Sequence, residues 1–345
     1  MIKKTISSLF FIAGTNILFA LPALVSSTQY KASSVNSLSF SLRWENIEIE
    51  ASDTNEITVD LHCNNRRYAP EVKLASNTLI IESVQLKRTI IMNHNKCTVI
   101  VKIPENLDFD KIKLHTSSGN IQSSVRMSAK ESLIEASSGD IRIEGINSKI
   151  AKVQASSGNI SFKNFSGTDF FSQTSSGSIK LQNIAAQGLE SRASSGNIVL
   201  DNISAKNFVS QASSGNITGQ NLVCQGFDIS TSSGTIGLEF IQAPSLKSTV
   251  QSTSGTQYIS IPKDSKINLQ VTTSSGRFIN TFTGEKISSH ANYKEELNGG
   301  GPLLKLSSSS GSITLDVENF IENKSGKESL SSNEDIPVVI FDDAK

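Results

Sequence analysis

One six-residue phrase, Ala/Thr-Ser-Ser-Gly-Asn-Ile, recurs through the middle of the chain and restricts its possible folds more than any other feature. It reads Thr116-Ser-Ser-Gly-Asn-Ile121, Ala136-Ser-Ser-Gly-Asp-Ile141 and Ala155-Ser-Ser-Gly-Asn-Ile160, then returns at Thr174, Ala193, Ala212 and Thr231. The glycines Gly119, Gly139, Gly158, Gly177, Gly196, Gly215, Gly234, Gly255, Gly276 and Gly311 lie at intervals of 20, 19, 19, 19, 19, 19, 21, 21 and 35 residues. A fixed period of this size marks a stacked repeat.

Aligning the periods that begin at Ala155, Thr174, Ala193 and Ala212 produces columns. Ile160, Ile179, Ile198 and Ile217 form one, and Phe162, Leu181, Leu200 and Gly219 the next. An Asn column follows (Asn164, Asn183, Asn202, Asn221), then Phe165, Ile184, Ile203 and Leu222. Gly167, Ala186, Ala205 and Cys224 fill a small slot. Phe170, Leu189, Phe208, Phe227 and, further on, Leu246 are assigned to one large inward stripe. Ser172, Ser191, Ser210 and Ile229 sit two residues beyond it. Apolar positions two apart are strand periodicity, and helical spacing is absent. Asn and Gly, which tolerate positive φ, mark the corners.

A single period cannot fold alone. Roughly five apolar side chains contribute about 1.5–3 kcal/mol each on burial, whereas ordering the backbone costs roughly 1–2 kcal/mol per residue. Stacked periods share their faces and pair every strand above and below. The sequence therefore predicts an all-β, single-stranded parallel β-helix (a β-solenoid) of about 19 residues per coil, with strands ~4.8 Å apart. Parallel crossovers favour a right-handed coil. Asn over Asn should form a side-chain ladder up the stack. A sandwich would not repeat one phrase at constant spacing, and a propeller blade needs a period of about 40 residues.

Five segments follow. Residues 1–27, with Lys3 and Lys4 before an apolar run to Leu24, read as a secretory signal peptide cleaved after Ala20, Ala23 or Ser27. No transmembrane helix is expected beyond it. Residues 35–115 keep strand alternation without the phrase and read as irregular N-terminal coils and a cap. Residues 116–279 are the regular solenoid. Residues 280–320 hold an insertion loop, with His290 to Leu297 and Asn298-Gly-Gly-Gly-Pro302, and a last coil. Residues 321–345 read as a polar, disordered tail around one apolar island, Ile336-Pro-Val-Val-Ile-Phe341.

The chemistry expected is sparse. The 32 basic and 32 acidic residues cancel, without a basic cluster, which argues against a nucleic-acid partner. Lyases and hydrolases on solenoids need converging carboxylates or bases. Here the outward columns, Gln122, Arg142, Ser161, Lys180, Val199, Thr218 and Gly237, then Glu144, Lys163, Gln182, Asp201, Gln220 and Glu239, are mixed. Asp201 and Glu239 fall two coils apart, ~10 Å. The histidines His62, His94, His115 and His290 are scattered, and a serine repeated in every coil is structural. Neither a calcium β-roll repeat nor zinc-ligand spacing is present, so no catalytic, metal or cofactor site is expected. Cys224 occupies the small inward slot. Cys63 and Cys97 are expected as two free core thiols: a parallel register would hold them ~20 Å apart, whereas an antiparallel pairing would bring them together and allow a bond.

The tandem phrases from Ser117 to Ile236 carry a family resemblance, as do Val99-Ile-Val-Lys-Ile-Pro104 and the ending from Gly299-Gly-Gly-Pro to Gly311-Ser-Ile313. Over about residues 38–318 the chain resembles the bacterial exported β-strand-repeat adhesin family, close to autotransporter-like adhesin heads. The resemblance implies a right-handed β-helix, exported, with a binding role and no shared catalytic motif. The chain departs from it in the 35-residue interval and the apolar-tipped tail. The functional expectation is an exported non-catalytic adhesin-like or structural protein presenting a repetitive face to carbohydrate or another surface protein. Two alternatives stay open: a polysaccharide-processing β-helix enzyme, and a scaffold self-assembling through its coil ends.

Overall fold

The period-two alternation becomes one continuous sheet of 23 strands in a computed structural model that describes residues 21–85 and 96–317. The expected leader up to residue 20 and the expected disordered tail lie outside the described residues. The N-terminal end comprises β1 (Leu24–Lys31), β2 (Ser37–Leu42), β3 (Asn46–Ser52), β4 (Glu56–Cys63), β5 (Glu71–Ala75), β6 (Thr78–Glu82), β7 (Cys97–Pro104) and β8 (Asp108–Thr116). Six long strands follow: β9 (Ile121–Ala136), β10 (Ile141–Ala155), β11 (Ile160–Thr174), β12 (Ile179–Ala193), β13 (Ile198–Ala212) and β14 (Ile217–Thr231). The C-terminal end comprises β15 (Ile236–Phe240), β16 (Ser248–Ser252), β17 (Gln257–Ser260), β18 (Ile267–Thr273), β19 (Phe278–Asn280), β20 (Lys286–Ile287), β21 (Asn292–Leu297), β22 (Leu303–Ser308) and β23 (Ile313–Asp316).

Strands β9 to β14 stack in parallel with like on like. Ile141, Ile160, Ile179, Ile198 and Ile217 are register partners in turn. Each coil bends at its Asn: Asn164, Asn183, Asn202 and Asn221 have φ of 52–56°, the left-handed region that Asn tolerates. Asn183 Nδ2 donates to Asn164 Oδ1 at 3.0 Å, and Asn202 Nδ2 to Asn183 Oδ1 at 2.8 Å. Asn221 leaves this ladder and donates to Asp201 Oδ1 at 3.2 Å. A second ladder runs beside the Ser-Ser-Gly corner. There the side-chain oxygen of one coil accepts the next coil's backbone N–H, from Asn46 to Asn120 to Asp140 to Asn159 to Ser178.

The interior packs by reciprocal volumes. Where the large slot holds Phe170, Leu189 or Phe208, the next inward position holds Ser172, Ser191 or Ser210, all buried. Where the slot shrinks to Ser132 or Ala151, its neighbour grows to Ile134 or Val153. Summed volume is thus kept from β9 to β13, as a close-packed interior requires, whereas β14 fills both positions with large residues, Phe227 and Ile229. The Oγ atoms of Ser191 and Ser210 have no hydrogen-bond partner. A buried, unpaired hydroxyl carries a desolvation cost of roughly 1–3 kcal/mol. Replacing both serines by Ala should therefore leave stability unchanged or raised in urea unfolding; a clear loss would mean that the hydroxyls are bonded.

The two ends are interleaved in the same manner. At the N-terminal end the earliest coil, β2 with β3, lies between β6–β7 on one side and β8–β9 on the other. At the C-terminal end the last coil, β22 with β23, lies between β16–β17 and β18–β19. The chain lays down an outer coil and threads one coil beneath it, so its earliest and latest coils are each held on both faces. Antiparallel leaves then cover the outer coils: β4 on β7 and β1 on β4 at one end, β21 on β18 and β20 on β19 at the other.

Two expectations are revised, and a strand begins within the stretch read as leader. Cys63 and Cys97 are not free thiols but a disulfide, because β4 turns back antiparallel to β7 with Cys63 opposite Cys97. Leu246 does not continue the inward stripe. It is 43% exposed on a loop, residues 241–247, and Ser248 takes the slot, buried. Lastly, Leu24–Ser27 of the expected leader belong to β1. Ser27 Oγ donates to Asp60 Oδ1 at 2.6 Å, and Asp60 also holds Lys102 at 3.1 Å. Burial works to raise the Asp60 pKa, but the Ser27 and Lys102 hydrogen bonds and the Lys102 charge hold it below the ordinary aspartate value.

The disulfide closes 34 residues of chain. Cys63→Ser with Cys97→Ser should cost about 2–4 kcal/mol of stability. Urea unfolding with and without reductant checks this, and equal midpoints would refute it.

Candidate functional site

Hydrogen-bonding capacity left over by the fold, and not a catalytic cluster, distinguishes one face of the stack. The carboxylates considered for catalysis are engaged. Asp201 accepts from Gln182 Nε2 at 3.2 Å, from Gln220 Nε2 at 3.1 Å and from Asn221, and Glu239 also has an interaction partner. Glu144 pairs with Lys163 at 3.1 Å. The described histidines do not converge: His62 Nδ1 lies 3.0 Å from the carbonyl of Pro22, His115 lies beside Glu135, and His290 occupies a positive-φ turn. Among the described residues no group of three or more His, Cys, Asp or Glu could hold a metal ion. Cys224 lies buried in the small slot as expected, and burial pushes its thiol pKa up to about 12, so it is unreactive.

The Asn ladder borders a groove of about 840 Å³ that runs along the stack. Its floor is a column of short side chains in register: Asn147 on Ser166, Ser166 on Ala185, Ala185 on Ser204, Ser204 on Val223. Four steps of ~4.8 Å make it roughly 20 Å long. Asn164, Asn183 and Asn202 form one wall. Arg126 closes one end, and the loop with Ile241, Gln242, Ala243 and Ser245 closes the other. That loop stands out because the third face of the coil is missing there: Ser245 and Leu246 donate to the carbonyl of Gln225 instead of continuing a strand.

The chemistry follows from these residue types. A carboxamide has two N–H donors and two lone pairs. The ladder uses one of each on Asn183, leaving one donor and one acceptor per rung. Ser166, Ser204 and Gln225 add hydroxyl and amide groups, while Ala185, Val223 and Ile241 add apolar patches. Arg126 is the one charged lining residue among those described. The groove therefore presents neutral hydrogen-bonding groups beside small apolar patches.

The sequence reading found the Asn column but not the groove. The outward residue between the Phe165/Ile184/Ile203/Leu222 column and the small slot was the available signal, since it is short in four consecutive coils.

A family profile described as Toastrack DUF4097 matches residues 35–167 and 149–316, each match containing one interleaved end. No curated protein matches the chain. Similar solved structures include a Parabacteroides distasonis protein named "Putative lipid binding protein", with 17% identity and a TM-score of 0.44, covering 84% of this chain and 96% of that one. A Bacteroides fragilis "putative adhesin" shows 13% identity, a TM-score of 0.35 and coverage of 84% and 96%. A Clostridium sporogenes "putative cell adhesion protein" shows 12% identity, a TM-score of 0.21 and coverage of 84% and 97%.

Proposed function

Given that this chain belongs to the Toastrack DUF4097 family, we propose that it is an exported, non-catalytic binding protein that holds an extended, uncharged carbohydrate chain along the Asn-walled groove. The observation that carries this reading is the groove lining: free amide donors and acceptors at every rung, small apolar patches between them, and a single charge at one end. Each hydroxyl of a sugar both donates and accepts, matching the valences that the ladder leaves. A peptide strand fits less well, because the floor strands are paired on both sides and offer no open edge. Weak contacts repeated along one polymer add up through multivalency. The coil is taken as right-handed with about 19 residues, in keeping with parallel crossovers.

The alternatives have less support. A polysaccharide-cleaving site would need a carboxylate free to move protons, and Asp201 is held by three amides. End-to-end assembly would need open strand edges. The C-terminal edge strand β21 instead carries Lys294, Glu295 and Glu296, and β5 at the other end carries Glu71 and Lys73.

Export is supported by the disulfide, which belongs to oxidising compartments. Among the described residues no helix is long and apolar enough to cross a membrane. The β1 pairings favour leader cleavage after Ala20 or Ala23 over Ser27, since the latter would remove Ser27 from Asp60. Mass spectrometry of the exported protein should find a mature chain beginning at Leu21 or Leu24, and a chain beginning at Thr28 would refute this.

The binding reading is tested with a neutral oligosaccharide array beside a glycan-cleavage screen on the same protein. Binding without cleavage is expected. Ala185→Arg, which fills the groove floor, should reduce binding at least tenfold, while Thr218→Arg on another face should not. Cleavage activity lost in Asp201→Asn or Glu239→Gln would overturn the non-catalytic assignment.

A further inference from the structure

We infer that the groove has a polarity, and that the neutral carbohydrate chain proposed above carries one carboxylate-bearing sugar at its end, held by the Arg126 guanidinium. This names the ligand class more closely and rests on the carbohydrate reading.

The first argument is an uncommitted cation. Neighbouring charges on the stack are engaged: Arg142 with Asp140, Lys163 with Glu144, Arg192 with Glu190. Arg126 is exposed at the groove end and makes no ion pair or hydrogen bond among the described residues. Its direction is set by its register partner, Gly145. Gly145 occupies the place of the Asn column in β10, 19 residues before Asn164. A Cβ on Gly145 would stand 3.2 Å from Cγ and Nε of Arg126. The Arg126 side chain therefore lies across the glycine, along the stack and toward the Asn wall.

The second argument is the direction of the Asn ladder. Asn202 donates to Asn183, Asn183 donates to Asn164, and Asn164 Nδ2 donates to the carbonyl of Glu144 at 2.8 Å. Three carboxamides in a row thus point their N–H ends toward the Arg126 end. Aligned dipoles favour an anion at their positive end, as at a helix N-terminus. At the opposite end Asn221 turns to the Asp201 carboxylate instead. The ladder and the guanidinium therefore give the groove a field of one sign at one end.

The third argument is the charge count. One guanidinium balances one carboxylate, whose planar geometry its fork matches with two parallel hydrogen bonds. A phosphate monoester brings about −1.5 to −2 charges and finds no second cation in the lining. A chain with an acid on every sugar would set further carboxylates along Asn183 and Asn202, beside Asp201 and without a counter-charge. A single acid at one end meets neither obstacle.

The test uses the full chain and hexasaccharides of β-1,4-glucose, β-1,3-glucose, β-1,4-mannose and β-1,4-N-acetylglucosamine. Each is offered neutral, with a uronate at either end, with a terminal 6-phosphate, and with a uronate at every position. At least one backbone should bind about tenfold more tightly with a single terminal uronate than in neutral form, the scale of one charge-assisted pair. Arg126→Gln should abolish that gain and leave neutral binding within about twofold. Gly145→Ala, which pushes the guanidinium aside, should weaken the gain. Neutral binding without a gain, or a gain kept by Arg126→Gln, would overturn the inference and leave the binding function in place. Tighter binding of the phosphate or the all-uronate form would overturn the single-carboxylate assignment. No binding in any form would refute the binding function itself, and the inference with it.

Discussion

Gly196→Ala should abolish folding or cost at least about 4 kcal/mol, the range reserved for backbone collisions in a packed interior. A Cβ on Gly196 would overlap the carbonyl oxygen of Gly177, and the same relation holds from Gly119 on Glu45 through Gly255 on Gly234. The obstacle is backbone on both sides, so no side chain can move aside. The coils would have to separate, breaking the corner hydrogen bonds of Ser194 and Ser195 to Thr174 and Ser175. Gly237 is the control: a Cβ there meets nothing within 4 Å. Gly237→Ala should change stability by less than about 1 kcal/mol, in the stabilising direction, by restricting the unfolded chain. Urea unfolding of both variants decides the matter. Similar midpoints would mean that the glycine column is a matter of composition and not of close approach.

Phe208→Ala is the second large effect, with an expected loss of roughly 3–5 kcal/mol. Phe208 is buried with Leu189 and Phe227 as its register partners in the coils on either side. Asn207, exposed and adjacent, should change stability by no more than about 0.5 kcal/mol when replaced by Ala. The reciprocal packing adds a sharper test. Phe208→Ala with Ser210→Val recreates the Ala151 and Val153 pair found two coils on the N-terminal side of β12 and should recover part of the loss. No recovery would show that the two slots do not share one volume.

What was legible in the sequence follows from stacking. Where the register offset equals the sequence period, a column in the alignment is a column in space. The isoleucines, the Asn corners with their ladder and the Phe170 to Phe227 stripe were readable for that reason. The ring contacts of the stripe were not readable: Phe227 stacks on Phe240, and Phe170 meets Phe162 and Phe165 edge-on. The ends were illegible because spatial order departs from chain order there. Residues 37–52 and 303–316 lie beneath outer coils formed by neighbouring sequence, and no spacing rule encodes that threading. The Cys63–Cys97 bond was obscured by the same reversal of direction. One signal was available. Leu42-Arg-Trp-Glu-Asn-Ile47 is the recurring phrase with Glu45 in the glycine place. Asn46 and Ile47 keep their roles, and the Glu45 carboxylate turns back to accept the N–H groups of Arg43 and Trp44 and the hydroxyl of Ser83.

The groove was hidden for a different reason. A column of short outward residues looks like an ordinary solvated face until the loop at Ile241 and the Asn wall give it depth. Its use as a binding site is most directly tested by a crystal structure of the exported protein soaked with a neutral oligosaccharide selected by the array. Ligand density should run along the stack from Arg126 toward Ile241, over Ser166, Ala185, Ser204 and Val223, with hydroxyls on Asn183 and Asn202. Density confined to another face or to the coil ends would contradict it.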